Sequence, residues 1–94
     1  MFNTELVDAQ IGKRLKSQRM KLGISQVELA EKVGLTFQQI QKYESGKNRI
    51  SSSRLYQFTK LLDINPTYFF DDLEMIQNQD IGENNIQDLS LIHI

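Results

Sequence analysis

Four times between residues 24 and 69 the chain repeats one local pattern: an apolar residue, a side chain able to cap a helix, and a second apolar residue five positions after the first. The pairs are Ile24 and Leu29 around Ser25, Leu35 and Ile40 around Thr36, Ile50 and Leu55 around Ser51, and Ile64 and Phe69 around Asn65. This is the hydrophobic staple, in which the residue before the N-cap packs on the fourth helical residue and sets the entry angle of the chain. Glu28 and Gln39 add the reciprocal partner of a capping box to Ser25 and Thr36. Pro66 stands at a first helical position, where its missing N–H has no intrahelical partner to lose. Helix starts this close together leave room only for short helices joined by tight turns.

A longer helix precedes them. Val7, Ile11 and Leu15 form an i, i+4, i+8 stripe, and Gly23 follows Leu22 as a left-handed stop. Gly34 and Gly46 stand in the same relation to the next two helices. The pattern predicts helices at about 5–22, 25–33, 36–45, 51–62 and 66–72, an all-α domain over 5–72 with no good strand. Residues 73–94 are rich in Asn, Gln and Asp, and their apolar residues follow no clean period. They read as an acidic tail, either a dimer contact or a disordered terminus.

Net charge is −1, but its distribution is lopsided. All 11 basic residues lie between Lys13 and Lys60, where only Glu28, Glu31 and Glu44 oppose them, so that span carries +8. From Asp63 onward there are 7 acids and no Lys or Arg. A basic body with an acidic tail points to a polyanionic partner.

The helices at 25–33 and 36–45, joined through Val33-Gly34-Leu35, have the spacing of a helix-turn-helix. With Ile40 set inward and about 100° per residue, Phe37, Tyr43 and Glu44 fall within about 60° of it. Gln38, Gln41, Lys42 and Ser45 fall outward. Gln pairs bidentately with adenine and Lys donates to guanine in the major groove, so this face suits base reading, whereas alone it would be an ordinary solvated face. Phe37 sits at the edge, placed either to touch a thymine methyl or to pack on a neighbouring helix.

Arg19 extends the apolar stripe of the first helix, and Glu44 faces inward on the third. Both are seldom buried unless paired, and pairing with each other satisfies both. Gln26 opens the second helix, where free N–H groups favour phosphate; it either donates to that phosphate or faces solvent. Lys47, Asn48 and Arg49, followed by Ser51, Ser52 and Ser53 at a helix start, read as a second phosphate clamp in which one serine is also a cap.

The run Ile24-Ser25-Gln26-Val27-Glu28-Leu29-Ala30, with Val33-Gly34, Ile40 and Tyr43-Glu44-Ser45-Gly46, resembles the Xre family, of lambdoid phage repressor and Cro type, across roughly residues 8–72. The resemblance implies a five-helix lambda-repressor-like domain whose third helix enters the major groove. It implies phosphate contact by Gln26 and base contacts at Phe37, Gln38 and Lys42, with Thr36 and Gln41 close by; we group Thr36 with the phosphate contacts and Gln41 with the base readers. It also implies the Arg19–Glu44 pair. Phe37 departs from the pattern, standing where phage relatives often carry a polar reader.

The expected function is sequence-specific binding of double-stranded DNA by a homodimer that regulates transcription. The adjacent aromatics Tyr68, Phe69 and Phe70 are candidate dimer contacts, unless two of them close the core. The alternative is an antitoxin or protein-interaction adaptor on the same fold. An enzyme is not expected: His93 is the only histidine, and no nucleophile–base pair or phosphate-cradling glycine loop is present. No metal, cofactor or small-molecule effector is expected. The lack of cysteine fits a reducing cytosol. With no apolar run near the ~20 residues that span a bilayer and no basic-then-apolar leader, the expected location is the cytoplasm, on the nucleoid when DNA-bound.

Overall fold

The computed structural model describes residues 3–73. Its α-helices are α1 (Thr4–Lys21), α2 (Gln26–Val33), α3 (Phe37–Ser45) and α4 (Ser52–Leu61), followed by a 3-10 turn at Pro66–Phe70, and no strand occurs among the described residues. The architecture is all-α. The expected fifth α-helix over 66–72 is instead this 3-10 turn. The chain becomes extended at Asp71 and left-handed at Asp72 (φ 70°), so the helix has no room to continue. The acidic tail beyond residue 73 lies outside the described residues.

Each start is held by its cap. Ser25 Oγ accepts from the Glu28 N–H, Thr36 Oγ1 from Gln39, Ser51 Oγ from Arg54, and Asn65 Oδ1 from Thr67. Glu28 and Gln39 return the bond to the N–H of Ser25 and Thr36, both at 2.9 Å. The bonds from the Ser25 backbone N–H and hydroxyl hold the Glu28 carboxyl below the ordinary glutamate value.

The helix ends share one geometry as well. The N–H groups of Ile24, Leu35, Lys47 and Ile64 reach back to the carbonyls of Arg19, Ala30, Lys42 and Thr59 at 2.9–3.1 Å, the long bond of a Schellman motif. The residue before each is left-handed: a glycine after α1, α2 and α3, but Asp63 (φ 54°) after α4. Ile24, Leu35 and Ile64 therefore close one helix and staple the next, and all three pack against the core.

Every element sends a fully buried side chain inward: Leu15 from α1, Leu29 from α2, Ile40 from α3, Phe58 from α4 and Phe69 from the 3-10 turn, with Leu62 beside them. Phe69 is thus a core residue, which removes it from the dimer candidates. Its place in the Ile64–Phe69 staple demands this burial. Tyr43 meets the Phe58 ring edge-on at 6.0 Å. Tyr68 is half-buried, with the Arg14 guanidinium 5.1 Å from its ring centre, and Phe70 is exposed.

The crossing of α1 and α3 mounts the functional helix. A Cβ at Gly12 would lie 2.4 Å from the Tyr43 carbonyl oxygen and 2.7 Å from that of Glu44, so the two backbones touch there. Gly46, just past α3, has Ala9 of α1 against it in the same way.

Candidate nucleic-acid interface

Two glycine-ended helices with a capped start between them fix the angle between α2 and α3. One buried polar cluster then ties three helix ends together. Arg19 Nε donates to Glu44 Oε2 at 2.6 Å and Arg19 Nη2 to Glu44 Oε1 at 3.1 Å. Arg19 Nη1 donates to the Ile24 carbonyl at 2.9 Å, and Gln26 Nε2 donates to Glu44 Oε1 at 3.0 Å. The end of α1, the start of α2 and the end of α3 meet at this point. Among the described residues no buried side-chain nitrogen or oxygen lacks a partner. Such a network defines geometry more than it adds net stability, because desolvating the ions offsets most of their attraction.

With Ile40 and Glu44 buried, the opposite face of α3 is left outside: Gln38, Gln41, Lys42 and Ser45 are all exposed. Phe37 also emerges, 40% exposed, although the helical wheel sets it at the margin of the inward side. Thr36 is exposed, with its side chain used in the α3 cap.

Gln26 is half-buried through its bond to Glu44, so one Nε2 hydrogen is engaged and the second remains to be donated. Beyond α3, the amides of Lys47 and Asn48 fold back onto the Lys42 carbonyl, and both side chains are exposed. Arg49 does not simply project into solvent. Its Nε donates to Asp8 Oδ2 at 2.9 Å and its Nη2 to Thr4 Oγ1 at 3.2 Å, which ties the loop to the first turns of α1. Its side chain is still 71% exposed. Ser51 caps α4 and shares a hydrogen bond with Ser53, while Ser52 lies exposed on its first turn.

The structure also uses residues that the sequence pattern did not single out. Gln18 is buried and donates to the Leu62 carbonyl at 3.1 Å, closing the end of α4. Arg54 donates to the Val33 carbonyl at 2.9 Å, closing the end of α2. Arg14 grips the Asp71 carbonyl at 3.1 Å and the Asp72 carboxylate at 3.0 Å. Arg14, Arg19 and Arg54 therefore serve the fold, and the exposed basic side chains are mainly lysines. A glycine within a helical pattern was the available signal for Gly12; nothing local marks Gln18 or Arg54. No cluster of metal-ligating side chains occurs among the described residues, and none of their helices is long and apolar enough to cross a membrane.

A rigidly mounted second helix following a glycine turn, with a polar outer face, defines a helix-turn-helix domain. Residues 15–69 match the model of the helix-turn-helix family, and the chain belongs to that family, of Xre or lambda Cro/CI type. It is 53% identical over 68 residues to the uncharacterized transcriptional regulator in the ATPase CF(0) region of Rhodospirillum rubrum, covering 72% of this chain and 63% of that protein. It is 44% identical over 80 residues to an uncharacterized HTH-type transcriptional regulator of Sinorhizobium fredii, covering 84% and 56% respectively. The chain thus spans somewhat over half the length of these curated relatives. Among solved structures it is similar to the restriction-modification controller protein C.AhdI of Aeromonas hydrophila, at a TM-score of 0.61 and 30% identity, covering 65% of this chain and 92% of that one.

Proposed function

We propose that this chain binds double-stranded DNA sequence-specifically as a homodimer and regulates transcription from an operator. The observation that carries this reading is the exposed Gln38, Gln41 and Lys42 face on a helix fixed by backbone contact at Gly12. Side chains that reach base edges must be held in place by the scaffold, and amides and ammonium groups match the donor and acceptor pattern of the major groove. Phe37 joins this face at its N-terminal end.

Phosphates on either side would be held by Gln26 through its second Nε2 hydrogen and by Thr36 at the start of α3. Lys47, Asn48, Arg49, Ser51 and Ser52 would hold them beyond α3. Arg49 would exchange or share its bond to Asp8 when phosphate arrives. Phe70, exposed beside Tyr68, supports a contact between two copies of the chain. Half-sites would then lie about one helical turn, ~34 Å, apart. The activity is binding alone, in the cytoplasm on nucleoid DNA, with no catalytic step.

Selection of bound duplexes from a random library by the purified protein tests the proposal. Enrichment of an inverted repeat, with affinity falling steeply as added salt lowers the entropy gained by releasing counterions, is the expected result. Binding without enrichment would reduce the protein to a non-specific DNA binder. No binding at low salt would leave the antitoxin or adaptor reading in its place.

A further inference from the structure

Phe37 is the apolar member of an otherwise polar face. It occupies the first position of α3, 40% of it is exposed, and exposed Gln38 and Gln41 flank it on the helix surface. Neither ring–ring contact among the described residues, Tyr43 with Phe58 or Tyr68 with Phe69, includes it. Thr36 and Gln39, its other neighbours on the first turn, are bonded to each other in the capping box. A large ring with 40% of its surface in water, beside hydrogen-bonding side chains, gains most by covering that surface with an apolar group in whatever those side chains read.

The major groove offers one such group. Most of its edge groups are hydrogen-bond donors and acceptors, and the methyl on C5 of thymine is the one apolar group that projects into it. We infer that Phe37 reads the C5 methyl of a pyrimidine, thymine in ordinary DNA, next to the bases met by Gln38 and Gln41. This deepens the DNA-binding reading and rests on it. The same chemistry extends to 5-methylcytosine, which carries the same methyl at the same place. Affinity for a cytosine at that position therefore rises on methylation.

The test uses the operator obtained by selection, with each thymine replaced in turn by uracil. That change removes the methyl and keeps the base pair and its hydrogen bonds. One position per half-site should lose about fourfold in affinity, the fold-change corresponding to one buried methylene-sized group. Phe37→Ala should bind the thymine operator more weakly and be indifferent to uracil at that position. At the same position, 5-methylcytosine should bind the wild type more tightly than cytosine and make no difference to Phe37→Ala. An unchanged melting temperature would show that the variant is folded. Operator binding without any uracil effect, or an equal uracil effect in Phe37→Ala, overturns the inference and leaves the DNA-binding reading intact. Failure to bind any duplex overturns both.

Discussion

On its inner side α3 meets α1 backbone to backbone, with no space for a methyl at Gly12 and with Glu44 locked between Arg19 and Gln26. On its outer side the same helix exposes Gln38, Gln41 and Lys42 to solvent. The helix is short, so rigidity must come from tertiary contact rather than from its own length. A tight inner face allows an outer face whose residues are free to be chosen for what they bind. Substitutions inside should therefore act on stability, and substitutions outside on recognition.

That contrast breaks most visibly at Glu44. Glu44→Ala should destabilise the domain by about 3–5 kcal/mol in urea unfolding, because Arg19 would be left buried without its counter-ion. Replacing Arg19 and Glu44 together by apolar residues of similar volume should restore most of the stability. If that double variant is stable but binds DNA poorly, the pair also orients Gln26; if it binds normally, the pair serves the fold alone.

Gly12→Ala comes next. The added methyl would collide with two carbonyl oxygens of α3, and overpacking of this kind costs about 1–3 kcal/mol. Urea melts would reveal it, and a neutral result would mean that the α1–α3 crossing is looser than the structure describes.

The outer face should behave oppositely. Gln38→Ala should leave unfolding within about 0.5 kcal/mol of wild type, while relaxing preference at one or two base pairs by about 1–3 kcal/mol. Arg49→Ala should weaken all duplexes alike and lower the salt slope by about 1. Its lost surface pair with Asp8 should cost only about 0.2–1 kcal/mol of stability. Selective loss for one operator would make Arg49 a base reader instead.

The smallest effect concerns pH. The Glu28 carboxyl titrates below its ordinary value in the folded chain because its ionised form accepts from the Ser25 backbone N–H and hydroxyl. Its stabilising contribution is present above the unfolded glutamate value and is lost as pH falls through the lowered folded one. Melting temperature followed into the acid range should fall less steeply in Glu28→Gln, which keeps an acceptor without the titration. Identical slopes would mean that the capping box at Ser25 adds nothing to acid sensitivity.

Much of this molecule is written locally. The caps at Ser25, Thr36, Ser51 and Asn65 and the left-handed glycines are short-range devices, because each bond joins residues a few positions apart. Where such devices recur, the starts of α2, α3 and α4 and the glycine stops after α1, α2 and α3 are legible before any tertiary contact is known, whereas the same kind of cap at Asn65 opens a 3-10 turn rather than a fifth α-helix. The outward face of α3 was legible for a related reason: a helix of fixed period with one apolar anchor at Ile40 has only one side left for its polar residues.

Other features depended on residues far apart in the chain. Phe69 belongs to the core rather than to a dimer contact because the 3-10 turn carries it onto α1 and α4. Arg54 and Gln18 close the ends of helices to which they do not belong, across separations of 21 and 44 residues. Arg49 is bonded to Asp8 and Thr4 only because α1 passes beside the loop after α3. By itself the sequence determined where α2, α3 and α4 start, where glycines stop α1, α2 and α3, and which sides are apolar, since backbone hydrogen bonds and caps are satisfied within a few residues. The tertiary structure alone decided which polar groups remain available to a ligand and which are consumed by the fold, since a buried donor takes the partner that packing brings to it.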